Sequence, residues 1–87
     1  SSLAQAKVAD DLDALSEVLR QEAREVTLRE LTKLDDEQRQ VVLLKIIQGM
    51  TLRQVAQVVG ISVSLVNYRL NKGRTELARR LQKAGVV

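Results

Sequence analysis

Residues 51–72 read TLRQVAQVVGISVSLVNYRLNK, and this stretch decides the fold. A short apolar-patterned segment ends at Gly60, and a longer one follows Ser62, a residue type that favours the N-cap of a helix. Ala56 is small where two helices would cross, Gly60 suits the turn, and Val66 points into the core. This spacing predicts a helix-turn-helix, a motif whose second helix enters the major groove of DNA.

Capping signals extend this assignment toward the N-terminus. Thr51 followed by Gln54 has the spacing of a capping box at the start of the first motif helix. Asp35 is expected to cap a preceding helix over residues 36–48, and Gly49 is expected to end it in the left-handed conformation. Three helices with short connections are therefore predicted over the second half of the chain.

The last of these helices is predicted from Val63 to about Lys83, with Gly73 in its interior. Four residues at helical spacing line its inner face: Val66, Leu70, Leu77 and Leu81. An interior glycine costs about 1 kcal/mol relative to alanine. We therefore expect Gly73 to permit close approach to a neighbouring helix or to DNA.

The N-terminal segment, from Leu3 to about Val26, has the pattern of an amphipathic helix. Its apolar stripe consists of Leu12, Leu15, Leu19, Ala23 and Val26. The stripe needs an apolar cover, which could be the rest of the domain, a second chain or a partner protein. Near Thr27 the pattern allows either a separate short helix over residues 28–33 or one long helix ending near Lys33.

The predicted fold is all-α with four to five helices. We divide the chain into an acidic N-terminal helix (residues 1–26) and a helix-turn-helix domain (residues 27–87). The chain has no Cys, His or Pro and one aromatic residue, Tyr68. The core should therefore be aliphatic, and we expect no metal site, no cofactor and no enzymatic activity. No apolar run approaches the length of a membrane span, and we expect a cytoplasmic protein.

Charge is divided sharply along the chain. Through Glu37 there are five basic and ten acidic residues, whereas from Arg39 onward there are nine basic residues and one acidic residue, Glu76. The two parts therefore carry −5 and +8. A compact cationic half is typical of a protein that binds a polyanion, although a solvated basic face would have the same composition.

The candidate contact residues lie on the two motif helices. Base-reading candidates are the uncharged residues on the first turns of the second helix: Ser64, Leu65, Asn67, Tyr68 and Asn71. Phosphate-contact candidates are Arg53, Arg69, Lys72 and Arg74. The caps Thr51 and Ser62 could also hold a phosphate. Arg69 could instead pair with a carboxylate of an earlier helix, and Arg79, Arg80 and Lys83 are expected to be solvated.

Residues 34–77 resemble region 4 of bacterial sigma factors of the sigma-70 class, and the extracytoplasmic-function group most of all. The matching positions are Leu34, Arg39, Val41, Leu44, Gly49, Thr51, Ala56, Gly60, Ile61, Ser62, Val66, Arg69, Leu70, Arg74 and Leu77. They cover about half of the chain.

The resemblance implies binding of double-stranded promoter DNA at the minus-35 element, for transcription initiation. It also implies docking on the β flap of RNA polymerase through an apolar groove, and occlusion of these surfaces by an anti-sigma factor. Carried over position by position, DNA contact falls on Arg53, Ser64, Asn67, Tyr68, Arg69, Lys72 and Arg74.

This sequence departs from the family pattern mainly at the reading positions. Ser64, Leu65, Asn67 and Tyr68 replace the usual Gly, Thr, Lys and Ser. Asp35 stands in place of Pro, and Gln54 in place of Glu. The segment before residue 27 is helical in pattern where the family has a linker, and region 2 is absent, so this chain alone should not start transcription.

Two alternatives stay open. A response-regulator effector domain has a helix-turn-helix of similar length and would bind two symmetric half-sites. A protein-interaction module would use the acidic N-terminal helix, either to cover the basic face, to form a homodimer or to bind an anti-sigma partner.

Overall fold

A computed structural model describes the backbone of residues 2–86 and the side chains of residue 5 and residues 7–86. Helix α1 spans Ser2–Leu31, α2 spans Asp36–Val42 and continues as a π-helical segment over Leu43–Ile47, α3 spans Leu52–Val59, and α4 spans Val63–Lys83. No strand occurs in this part of the chain. The all-α prediction is confirmed.

Helix α1 runs without a break past the position where the sequence allowed one. The Thr27 hydroxyl donates to the carbonyl of Ala23 at 2.7 Å, inside the helix, so the prediction that Thr27 caps a separate short helix is wrong. The alternative of one long helix is confirmed, with its end at Leu31. The division at residue 26 coincides with no interruption of the backbone and stays a prediction.

The core is aliphatic and draws on every helix. Eight apolar side chains of the described residues are buried: Leu31, Leu34, Val41, Val42, Val55, Ala56, Val66 and Leu70. Ile61 and Leu77 are partly buried and pack against this cluster. Because the residues predicted to face inward on α4 are buried or partly buried, the opposite face of that helix points toward solvent.

The region between α2 and α3 differs from the predicted single α-helix over residues 36–48. From Leu43 the hydrogen bonding becomes π-helical, and the amide of Gln48 donates to the carbonyl of Leu43 at 3.0 Å. Gly49 then ends the segment with φ +70°, as predicted. Asp35 occupies the N-cap position of α2, but its side chain makes no capping hydrogen bond, so that part of the prediction is wrong.

Gly73 lies where α4 crosses α2. A Cβ atom added at Gly73 would stand 2.7 Å from Cγ2 of Val42 and 3.4 Å from Cβ of Gln38. The glycine is therefore required for close approach to a neighbouring helix, the first of the two reasons predicted for it.

The apolar stripe of α1 is covered only at its C-terminal end, where Ala23 and Val26 are partly buried. The large side chains before that end, together with those of Val8 and Val18 beside them, are each more than half exposed: Val8, Leu12, Leu15, Val18 and Leu19. The rest of the domain, one of the three predicted covers, therefore covers only the end of the stripe. Among residues 2–86, no helix combines the length and apolar character of a membrane span.

Candidate nucleic-acid interface

The turn between α3 and α4 has the geometry that the sequence predicts. Gly60 adopts the left-handed conformation with φ +79°, and its amide donates to the carbonyl of Ala56 at 2.8 Å. The amide of Ile61 donates to the same carbonyl at 3.1 Å, which closes the end of α3. The chain then turns directly into the N-cap of α4.

Both motif helices begin with side-chain caps. Thr51 Oγ1 accepts from the amide of Gln54 at 3.1 Å, and Gln54 Oε1 accepts from the amide of Thr51 at 2.9 Å, which completes the predicted capping box. Ser62 Oγ accepts from the amide of Leu65 at 3.1 Å. These bonds satisfy amides that a helix start leaves unpaired, and they fix the first turn of α4.

Burial on one side of α4 defines its outward face. Val66, Leu70 and Gly73 are buried, so the residues half a turn away point into solvent. The exposed residues on and beside this outward line include Lys72, Thr75 and the five predicted to read bases: Ser64, Leu65, Asn67, Tyr68 and Asn71. We call these five residues the reading face.

Cations border the reading face. Lys72 and Arg74 are exposed on the next turn of α4, and Arg53 is exposed on α3. The Lys72 ammonium lies 5.6 Å from the centroid of the Tyr68 ring, a cation–π distance. Tyr68 itself is 59% exposed, so its ring is available to a ligand.

Arg69 differs from the other predicted phosphate contacts. Its side chain is only 18% exposed, and its guanidinium lies 3.5 Å from the carboxylate of Glu37 on α2. The internal pairing that the sequence left open is therefore present.

A second charge cluster joins α1 to α4, and sequence reasoning missed it. Arg80 Nε lies 3.1 Å from Glu76, and Arg80 Nη1 lies 3.8 Å from Glu30, which is almost fully buried. Arg79 pairs with Glu76 as well. The expectation that Arg80 is solvated is wrong, because its side chain is only 28% exposed, whereas Arg79 and Lys83 are exposed as expected. The spacing of Glu76 with Arg79 and Arg80 signals the local pairs, but no sequence signal indicates Glu30.

These contacts perturb the carboxyl groups. The hydrogen bond from Lys33 lowers the pKa of Glu30, and the nearby charges of Lys33 and Arg80 add to this effect against the opposing effect of desolvation. The hydrogen bond from Arg79 lowers the pKa of Glu76 and raises that of Arg79. Both carboxyls are held in their charged form, as structural ion pairs require.

In the part of the chain that the structure describes, no three acidic side chains come together as metal ligands would. The chemistry available at the reading face is hydrogen bonding by amides and hydroxyls, apolar contact by Leu65 and Tyr68, and attraction of phosphates by the bordering cations.

Comparison with known proteins agrees with this geometry. The sequence model of the family described as Sigma-70, region 4 matches residues 24–77, which is more than half of the chain. The chain is also similar to the RNA polymerase sigma factor YlaC of Bacillus subtilis (strain 168), with 33% identity over 73 residues. That alignment covers 83% of this chain and 42% of the relative, so the chain spans less than half of the relative's length. No solved structure gives a significant match.

Proposed function

Because the chain belongs to the sigma-70 region 4 family, we propose that it is the part of a sigma factor that binds the minus-35 element of promoters. Helix α4 is the reading helix, and its reading face contacts base edges in the major groove. The observation that carries this proposal is the exposed, uncharged reading face with Arg53, Lys72 and Arg74 at its border.

The division of labour follows from the chemistry of the side chains. Arg53, Lys72 and Arg74 neutralise phosphates and set the position of α4 on the duplex. The Ser62 hydroxyl is engaged as a cap, so its contribution to DNA comes from the amides of the first turn. Arg69 reaches a phosphate only if it leaves Glu37, and we assign it a secondary role.

Docking on the β flap of RNA polymerase is the second part of the proposal. Two isoleucines of the π-helical segment, Ile46 and Ile47, are about half exposed, and Val58 on the adjoining helix α3 is 61% exposed. These exposed apolar side chains do not belong to the reading face. They support the flap contact that family membership implies.

Equilibrium binding to a duplex tests the DNA proposal. A fluorescent duplex selected from a randomised pool is titrated with the wild-type chain over a series of salt concentrations. Arg53→Ala and Arg74→Ala should each weaken binding of all duplexes and lower the slope of log affinity against log salt by about one. Arg24→Ala on the exposed part of α1 is the control and should change neither. No saturable binding at low salt, or an equal loss in Arg24→Ala, would contradict the proposal.

A second candidate function, protein interaction through α1, is favoured by the exposed part of its apolar stripe. The partner is either a second copy of the chain or an anti-sigma factor. Sedimentation equilibrium separates these cases, since a homodimer would dissociate on dilution and would be lost in the Leu15→Ser, Leu19→Ser double variant. A monomer at every concentration would contradict the homodimer.

A further inference from the structure

The five residues of the reading face are all uncharged, and the exposed Lys72 lies beside Tyr68 on the same side of α4. Ser64, Tyr68 and Asn71 lie along the centre of the reading face, and Leu65 and Asn67 lie on either side. Each of the five is exposed. What these side chains can and cannot recognise limits the sequences that α4 selects.

Recognition of a G·C pair in the major groove depends mainly on charged side chains. Guanine is read by a bidentate Arg or Lys, and cytosine donates to Asp or Glu. The cations beside the reading face are Arg69, Lys72 and Arg74, and the proposed function assigns Lys72 and Arg74 to phosphates. The Arg69 guanidinium is held 3.5 Å from Glu37 on the side of α2, and the Lys72 ammonium lies over the Tyr68 ring.

Recognition of an A·T pair requires the side chains that the reading face does carry. The amide of Asn makes a bidentate contact with adenine N6 and N7, and an apolar side chain contacts the C5-methyl of thymine. Asn67 and Asn71 are one turn apart on the same side of α4. Tyr68 is 59% exposed, and the Lys72 ammonium lies 5.6 Å from the centroid of its ring.

From these contacts we infer that α4 selects A·T base pairs at the positions it reads directly. Asn67 and Asn71 read adenine, and Tyr68 reads the methyl group of thymine. This inference rests on the proposed function, because it names the class of sequence that the same interface takes. Phosphate contacts by Arg53 and Arg74 add affinity for every sequence and leave the selection to the reading face.

Selection from a randomised duplex pool by the full chain is the first test, and A·T pairs should dominate the recovered core. The second test removes single atoms from the selected duplex. Replacing thymine by deoxyuridine deletes only the methyl group and should weaken wild-type binding about fourfold. Replacing adenine by 7-deazaadenine deletes the N7 acceptor and should weaken it about fivefold.

Matched variants assign each effect to a residue. Tyr68→Ala should bind the thymine and uracil duplexes with equal affinity. Asn67→Ala and Asn71→Ala should each bind equally the duplexes with adenine and with 7-deazaadenine at the position that the missing side chain reads. All three residues are exposed, so circular dichroism should show unchanged helix content.

Recovery of a G·C-rich core would overturn the inference while leaving DNA binding intact. So would an affinity of the wild-type chain that is the same with and without the thymine methyl and the adenine N7. Absence of saturable binding to any duplex would overturn the proposed function and this inference with it.

Discussion

The guanidinium of Arg69 on α4 lies 3.5 Å from the carboxylate of Glu37 on α2. This contact joins the reading helix to the helix that packs behind it and turns one cation of the basic half away from solvent. It also places a negative charge beside the surface proposed to approach DNA.

Removing that negative charge should strengthen DNA binding. Glu37→Gln frees Arg69 to approach a phosphate and removes a repulsive carboxylate, so affinity should rise about two- to fivefold at low salt. The measurement is fluorescence anisotropy with the selected duplex. Glu17→Gln removes an exposed carboxylate from α1 and should have no effect. Weaker binding by Glu37→Gln would show that the ion pair instead positions α4.

A methyl group at Gly73 should destabilise the fold. The added Cβ would stand 2.7 Å from Cγ2 of Val42, which is fully buried. We expect Gly73→Ala to lower the free energy of unfolding by about 1–3 kcal/mol, although alanine is the better helix former. Urea denaturation measures this change.

The double variant Gly73→Ala, Val42→Ala provides the control for that assignment. Removing the Val42 methyl groups opens the space, so the double variant should be more stable than the sum of the two single changes predicts. A Gly73→Ala protein as stable as the wild type would refute the close contact.

Loss of the α3 capping box should also be measurable. Thr51→Ala removes the acceptor that satisfies the amide of Gln54 at 3.1 Å and should cost about 1 kcal/mol. Thr51→Ser keeps the acceptor and should retain most of the stability. Equal thermal denaturation curves for Thr51→Ala and wild type would rule out a stabilising cap.

Stability should fall in acid because of Glu30 and Glu76. A carboxyl whose pKa is lower in the folded than in the unfolded state stabilises the fold above its unfolded pKa. That stabilisation is lost as the pH falls below the unfolded pKa of about 4.3 and then through the lower pKa of the folded state. The pKa of both groups is lowered, chiefly by hydrogen bonds from Lys33 and Arg79.

The free energy of unfolding should therefore decrease between about pH 5 and pH 3, and Glu30→Gln should make that decrease shallower. The control Glu17→Gln should keep the wild-type slope, because Glu17 takes no part in the contacts of Glu30. An unaltered slope in Glu30→Gln would contradict a stabilising role for the contacts of Glu30 with Lys33 and Arg80.

Features set by neighbouring residues were predictable from the sequence. The Thr51 capping box, the Ser62 cap and the left-handed Gly60 depend on atoms within a few residues, and all are present. The reading-face residues were likewise predicted to be exposed, because helical periodicity fixes which side of α4 is buried. Family membership in turn favours the sigma-factor interpretation over the response-regulator alternative.

Features that depend on packing between distant segments were not predictable. The π-helical segment after Val42 reflects how α2 joins α3, and its residues carry no local signature of it. The burial of Glu30 depends on Arg80, fifty positions along the chain, and Arg69 meets Glu37 only once α2 and α4 pack together. Local patterns also did not decide whether the helix breaks near Thr27. In the structure α1 is continuous through this position.

The most direct test of the central claim is to map the DNA interface by amide chemical shifts in the full chain. On addition of the selected duplex, amide shifts should change over the start of α4, from Ser62 to Lys72, and at Arg53, with residues 7–25 of α1 unchanged. Shifts confined to α1, or no shifts at saturating duplex, would contradict DNA recognition by the reading face.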